Sequence, residues 1–431
     1  MDVWRTSAAP LGLLALTHFL MHADRNLPAL VLPLLKRQFA LSDTALGLLQ
    51  GPAFALFFVA ATLLAGRVVD RVPQRKVLAA SVVVWTLASI GFGLARNWEQ
   101  LVLCRLMLGL GQAMVAPAAL SLIVIQVPSE DVGRSVSVFT TGSALGRSGA
   151  LLLGGALLAW ITSPLVRGVW SGLEAWRVLF FISALPNLAV AVGLFLTDRK
   201  SVRAVAPAGS MRPALDQMRA WPRAFGAHLV AAGCVIVLVQ AANAWMPTLL
   251  QRALGLSTAR SGVVAGLIVM IGAPLGHLSG GALTDLCRRT GRPPSLLVLL
   301  SLVLCVAGAG LLCAAPTLAT ISVGFFLVTV FGCMAGVVFL ALYQPMVSSA
   351  HGASNAVYFA TITLIGVGLG PPMIGLLSDR VFGPGQLGKA LFCTTLAAGL
   401  VASVLAWTNR RAWARVVEDA RMRSEMSDHH G

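Results

Sequence analysis

Charge is what this chain has least of. Asp, Glu, Lys and Arg make up 11% of its 431 residues, while 57% are apolar. A soluble globular protein carries about 25% charged residues, so an ordinary water-soluble domain is excluded. Enzyme signatures are missing too. No phosphate-binding G-x-x-x-x-G-K-[ST] loop, no H-E-x-x-H and no G-x-S-x-G occurs, which argues against an ATP-driven pump and against the hydrolases those motifs mark. The seven cysteines, at 104, 234, 287, 305, 313, 333 and 393, form no C-x-x-C and no Cys/His ligand spacing. They read as small apolar residues packed between helices, and neither metal nor cofactor is expected. Nor is there the ten-residue alternation of a transmembrane barrel.

What is present is a succession of long apolar runs. Twelve are long enough to cross about 30 Å of hydrocarbon as helices. They cover roughly 10–35, 45–66, 77–95, 100–127, 135–160 and 178–197, then 224–249, 261–283, 295–314, 318–345, 355–377 and 390–407. The polar, Arg- and Pro-rich stretch 198–223 separates two sets of six. The expected fold is therefore all-α and membrane-embedded: an N-terminal bundle 1–197, a linker 198–223, a C-terminal bundle 224–407 and a tail 408–431. The first run carries Asp24 and Arg25 and lacks a small-residue cleavage site, so it is expected to be a retained helix rather than a signal peptide.

The formal charge of +16 invites a nucleic-acid partner. The basic residues instead fall in short blocks between apolar runs, as topology signals do. With the N-terminus in the cytoplasm, 20 of the 32 Lys and Arg lie on inner segments, nine on outer loops and three inside spans. Both termini and the linker are expected inside, in a bacterial inner membrane. A monomer is expected, with membrane lipids as surroundings.

The two halves echo each other. Gly66-x-x-x-Asp70-Arg71 leads to Arg75-Lys76 after the second span, and Gly281-x-x-x-Asp285 leads to Arg288-Arg289 after the eighth. Both read as cytoplasmic gate clusters. The fifth span carries Gly142, Gly146, Gly149, Gly154 and Gly155; the eleventh carries Gly366, Gly368, Gly370, Pro371 and Pro372. Small residues at these spacings let backbones approach, and Gly/Pro runs loosen helices that must bend.

A charge inside a span costs at least about 2.5–3.5 kcal/mol on insertion scales, so it marks a partner or a wet cavity. The first half holds one such acid, Asp24, and three such bases, Arg25, Arg105 and Arg147. One carboxylate leaves two guanidiniums over, and arginine's fork suits carboxylate or phosphate. The functional reading is a cationic cavity for an anionic substrate. The structural alternative is that the arginines bond backbone carbonyls and Asp24 as glue between helices. Asp24 and Arg25, adjacent in sequence, point to different faces, so each needs its own partner. In the second half Gln240 and Asn243 lie three apart on one face ahead of Trp245, while Tyr343, Gln344, His228 and His277 are polar groups that line or merely bond their helices.

Several of these residues together resemble the major facilitator superfamily, over nearly the whole chain. Gly66-x-x-x-Asp70-Arg71-x-x-x-Arg75-Lys76 is similar to its loop 2–3 signature, with Pro73 where glycine is usual. Arg105-x-x-x-Gly109-x-Gly111-x-Ala113 resembles its fourth-helix signature; Gly109 and Gly111 lie inside an apolar span with no strand before them, so they are not read as a dinucleotide site. The fifth-helix glycines resemble its third signature, with Ser148 in place of proline. Asp24-Arg25, Pro33, Phe39-x-Leu41-Ser42-Asp43-Thr44-x-x-Gly47-Leu48-Leu49 and Trp176-Arg177-x-x-Phe180-Phe181 resemble the spinster-like group within it. The resemblance implies a twelve-helix transporter working by alternating access, with Asp24 as a protonation or gating site and Asp70 and Arg71 in the gate. Gln112 stands where that group usually has glutamate. A proton would then be carried by Asp24 alone, or the protein is a uniporter or exchanger.

The expected function is secondary transport of an anionic small molecule or lysolipid-like amphiphile through Asp24, Arg25, Arg105, Gln112, Arg147, Gln240 and Asn243. In the expected cycle, protonation of Asp24 frees an arginine for the anion. A multidrug exporter and a non-transporting receptor or scaffold are the alternatives.

Overall fold

In the computed structural model, proline and glycine decide where the apolar helices stop and restart. The structure describes residues 2–128, 131–166, 168–196, 211–314, 316–347 and 351–428, with the side chains of 2–9, 66, 67, 70, 211, 213, 351–353, 421 and 423–428 set aside. The described residues are all helix and connecting turns, without a strand.

The first expected span is two helices, α1 (Asp2–Asn26) and α2 (Pro28–Phe39). Pro28 has no N–H and its ring crowds the carbonyl four residues back, which ends α1 just after Asp24 and Arg25. The second is likewise split, into α3 (Asp43–Gln50) and α4 (Pro52–Arg71), at Gly51-Pro52. Then follow α5 (Gln74–Leu94), α6 (Trp98–Ala113), α7 (Val115–Gln126), α8 (Val132–Ile161) and α9 (Ala175–Leu196). The α6–α7 break at Met114 lies three residues before Pro117 and two after Gln112. The later helices are α10 (Met211–Ala220), α11 (Pro222–Leu254), α12 (Thr258–Arg289), α13 (Pro294–Cys313), α14 (Leu318–Tyr343), α15 (His351–Leu377) and α16 (Leu387–Asp428). Among the described residues, eleven helical stretches are long and apolar enough to cross a membrane; the α1–α2 stretch, with its buried charges, is not one of them.

The helices gather into two compact units. The first is Met1–Ala208 with Ala244–Met270, and the second is Gly209–Asn243 with Ile271–Gly431. Within the first unit α1 runs along α8, α5 packs on α6 and α9, and α4 packs on α6. The glycines of α8 set the first of these contacts. A Cβ on Gly142 would meet Ala15 O at 2.6 Å, and one on Gly146 would collide with Phe19 O and lie 2.8 Å from His22 Cβ. Gly109 sits against Phe54 O, and Gly111 would place a Cβ 2.9 Å from Trp85 N, so that pair serves helix contact. Gly155 meets the backbone of α12 at Ala259 O, 2.6 Å from a built Cβ.

Within the second unit α13 packs on α14 and α16. Gly366 of α15 lies against Ile236 of α11, and Gly370 against Val237 and Ala241. The fifth and eleventh spans therefore use glycine alike, each to seat a neighbouring helix closely. Two tryptophans tie the far end of α16 to the start of α11: Trp413 Nε1 donates to Ala224 O at 3.0 Å and Trp221 Nε1 to Asp419 Oδ2 at 3.2 Å.

Candidate functional site

Three broken helices of the first unit bring their loose ends together around Arg25, Arg105 and Gln112. A helix that stops leaves its last carbonyls without intrahelical donors. Arg105, reaching from α6, supplies donors to two such ends. Its Nη1 donates to Arg25 O of α1 at 3.1 Å, its Nε to Leu49 O of α3 at 3.1 Å, and its Nη2 approaches Gln50 O at 3.4 Å. The side chain is 2% exposed. A fixed cation at helix C-termini is also favoured by the helix dipole. Arg105, expected in the substrate site, is thus committed to main-chain oxygens; it holds the breaks in place.

Arg25 is placed differently. Its Nε donates to Gln112 Oε1 at 3.1 Å, and Gln112 Nε2 donates on to Met21 O at 2.9 Å. Its guanidinium carbon lies 4.4 Å from the Phe54 ring centre and 4.7 Å from that of Phe58, within cation–π range. Arg25 Nη2 is buried and meets no acceptor. Gln112, being neutral, orients Arg25 without cancelling its charge.

Arg147 of α8 is half-buried, and its Nε is buried with no acceptor. Gly146 seats the preceding backbone against His22, which brings Arg147 within electrostatic reach of Arg25 and His22. Neither Arg25 nor Arg147 has an acidic partner among the described residues. The uncompensated charge is therefore held by these two, with Gln112 between α1 and α6.

Asp24 does not pair with an arginine, which corrects the expected cycle. It faces the other way, as neighbours on a helix do. Asn187 Nδ2 of α9 donates to its Oδ2 at 2.6 Å and Ser89 Oγ of α5 at 3.3 Å. The carboxyl is 4% exposed. Both partners are neutral donors, so a proton gained or lost at Asp24 breaks no ion pair.

A second ionic cluster escaped the sequence reading. Asp43, at the start of α3, is fully buried. Arg252 of α11 grips it with two nitrogens, Nη1 to Oδ2 at 2.7 Å and Nη2 to Oδ1 at 2.6 Å, and Lys36 of α2 reaches Oδ1 at 2.5 Å. This bidentate pairing ties the start of α3 to the end of α11 inside the first unit. Asn187 and Ser89 were missed as well. A single Asn in the apolar run of α9 was the available signal; Asp43 and Arg252, 209 residues apart, carried none.

The other motif residues are structural. Trp176 stacks edge-on against Phe39, Phe92 and Phe180, and its Nε1 donates to Gln38 Oε1 at 2.6 Å. Arg177 lies over Trp176 and donates to Gly93 O at 2.7 Å. In the second unit Gln240 is half-buried, while Asn243 is buried with its Oδ1 unpartnered. Tyr343 donates to Ser354 O at 2.9 Å, Gln344 to Asn355 Oδ1 at 3.1 Å, and His228 bonds Phe339 O at 3.0 Å. His277 is exposed. Of the expected gate, Arg71, Asp285 and Arg288 are exposed and Arg75 is half-buried. Arg288 Nη2 donates to Ala341 O at 2.9 Å, at the end of α14. Gly66 and Asp70 lie outside the described side chains.

The comparisons with known proteins place this geometry. The sequence profile described as Major Facilitator Superfamily matches residues 14–371, and the chain belongs to that superfamily. It is a secondary transporter and a multi-pass integral membrane protein, not an enzyme. An MFS-type efflux pump of Mycolicibacterium smegmatis is 26% identical over 435 residues, covering 97% of this chain and 96% of that protein. A probable sulfoacetate transporter of Cupriavidus necator is 25% identical over 297 residues, covering 65% of this chain and 66% of that one. The fold is that of a bacterial homologue of the human lysosomal transporter spinster, crystallised inward-facing and unoccupied: TM-score 0.74, 23% identity, 96% of this chain and 97% of that chain.

Proposed function

We propose that this transporter carries an anionic small molecule, an organic acid or a lysolipid-like amphiphile, and that Arg25 and Arg147 bind its charged group. One observation carries the reading. Each of these two guanidiniums keeps a buried N–H without an acceptor, inside a segment where an unmatched cation is costly. An anion that comes and goes answers both. Gln112 holds Arg25 through its Nε, which leaves Nη2 for the anion. Arg105 has no part in binding.

The chain works by alternating access, as two six-helix bundles, 1–197 and 224–407, with the linker 198–223 between them in sequence. Gly66, Asp70, Arg71 and Arg75 form one part of a cytoplasmic gate, and Asp285 and Arg288 the other. Asp24 is the proton site: its charge changes against Asn187 and Ser89, without disturbing the arginines. The protein works as a monomer in a bacterial inner membrane with both termini cytoplasmic.

The efflux-pump relative, matched over its whole length, favours a second reading, export of drug-like cations or neutral amphiphiles. Thermal-shift screening of the purified protein with carboxylates, lysolipids and cationic dyes separates the two. Stabilisation by anions that disappears in Arg147→Met supports anion carriage; stabilisation by cationic dyes alone eliminates it.

A further inference from the structure

His22 belongs to the same face of α1 as Arg25, one turn earlier, and none of the roles above uses it. Its Nδ1 lies 3.1 Å from His18 O. A carbonyl can only accept, so Nδ1 carries the ring hydrogen, and in the neutral imidazole Nε2 is then a bare acceptor. His18 is fixed the same way: its Nδ1 donates to Phe139 O at 2.9 Å and its ring stacks on Phe139 at 4.1 Å. The histidines stand edge to face, 4.6 Å apart, so His22 cannot turn freely. Nε2 of His22 meets no donor among the described residues, and the side chain is only half-buried. Gly146 lies so near that a Cβ there would come within 2.8 Å of His22 Cβ, and Arg147, the next residue, is within electrostatic reach of the ring.

The cluster therefore offers two cationic donors, Arg25 Nη2 and Arg147 Nε, and one neutral acceptor. A bare carboxylate or sulfate matches the donors and turns a lone pair toward Nε2. An anion that also carries an O–H matches all three. Resting on the anion reading above, we propose that His22 selects substrates with a hydroxyl next to the anionic group, such as a 2-hydroxycarboxylate or a singly protonated phosphate. A site built to accept a substrate O–H discriminates against the analogue that lacks it, because the bound substrate covers the acceptor and leaves it unpaired.

The test uses matched pairs on the full-length protein in detergent, with binding read by isothermal titration. 2-Hydroxyhexanoate is compared with hexanoate, and hydrogen phosphate with sulfate; the first pair reports a hydroxy acid and the second a protonated phosphate. The expected result is at least tenfold tighter binding of the O–H member in one pair. That preference falls below about twofold in His22→Phe and survives in His22→Gln, whose amide oxygen restores an acceptor. Equal or reversed preference in the wild type overturns the proposal, as does a preference that persists in His22→Phe. Arg147-dependent binding of both members without preference overturns this inference alone. Failure of every anion to bind overturns the anion reading and this one with it.

Discussion

Replacing Arg105 and Arg147 by methionine, one at a time, should act in opposite directions on stability. Arg105 makes two well-formed charged hydrogen bonds, at 3.1 Å each, to Leu49 O and Arg25 O; those to Gln50, at 3.4 and 3.5 Å, are marginal. Bonds to charged groups contribute about 1.5–3 kcal/mol each. Removing the guanidinium recovers some desolvation, but the carbonyl ends of α1 and α3 stay buried and lose their donor. We expect a net loss of roughly 2–4 kcal/mol. At about 2–4 °C per kcal/mol for a unit of some 200 residues, the apparent Tm falls by roughly 4–16 °C. Arg105→Lys recovers only part of this, since an ammonium cannot fork between two helix ends. Arg147 has no partner to lose at its buried nitrogen, so Arg147→Met leaves the Tm unchanged or raises it. The assay is thermal unfolding of detergent-purified protein at one scan rate, followed by the fluorescence of its ten tryptophans. Equal falls for Arg105→Met and Arg147→Met would refute the division of labour between the two arginines.

Three further outcomes follow from the same geometry. Gly146→Ala puts a methyl into Phe19 O and His22; α8 must move off α1, at a cost of about 1–3 kcal/mol, seen as a lower Tm and a smaller monodisperse peak in size-exclusion chromatography. Asp43→Asn leaves Arg252 and Lys36 facing a neutral amide in a buried site, and destabilises by about 3–5 kcal/mol; the added change Arg252→Gln should recover part of that in a double-mutant cycle, and strict additivity would argue against the pair. Gln112→Glu places a carboxylate where the amide oxygen now lies 3.1 Å from Arg25 Nε, so anion affinity should drop at least tenfold in titration calorimetry, since a unit charge at that distance is worth a few kcal/mol even at an effective dielectric of about 20.

The fold was legible because it is written in period and punctuation. Apolar runs marked the spans, and the glycines of α8 and α15 marked faces of close approach without naming α1 and α11 as the partners. The spans 10–35, 45–66 and 100–127 were expected unbroken, and the structure splits each of them near Pro28, Pro52 and Pro117. What could not be read was that two of the breaks share one arginine, because that depends on how α1, α3 and α6 pack. Arg105 and Arg147 look alike as isolated charges in apolar helices. They differ only in what lies across from them, two helix ends in one case and no acceptor in the other. Asp24 was found, but its partners were not: the nearest charge in sequence, Arg25, points away, and the true partners are neutral residues 65 and 163 positions on. Asp43 stood in the sequence only as part of the stretch resembling the spinster-like group, and its ion cluster forms through Arg252, a residue of the second half of the sequence.

The most direct measurement is an experimental structure of the protein with the most stabilising compound from the thermal-shift screen. Anion carriage predicts one anionic group with its oxygens within about 3 Å of both Arg25 Nη2 and Arg147 Nε, and Arg105 still on Leu49 O and Arg25 O. A bound cation or neutral molecule, with Arg25 and Arg147 each turned onto main-chain carbonyls, would contradict it.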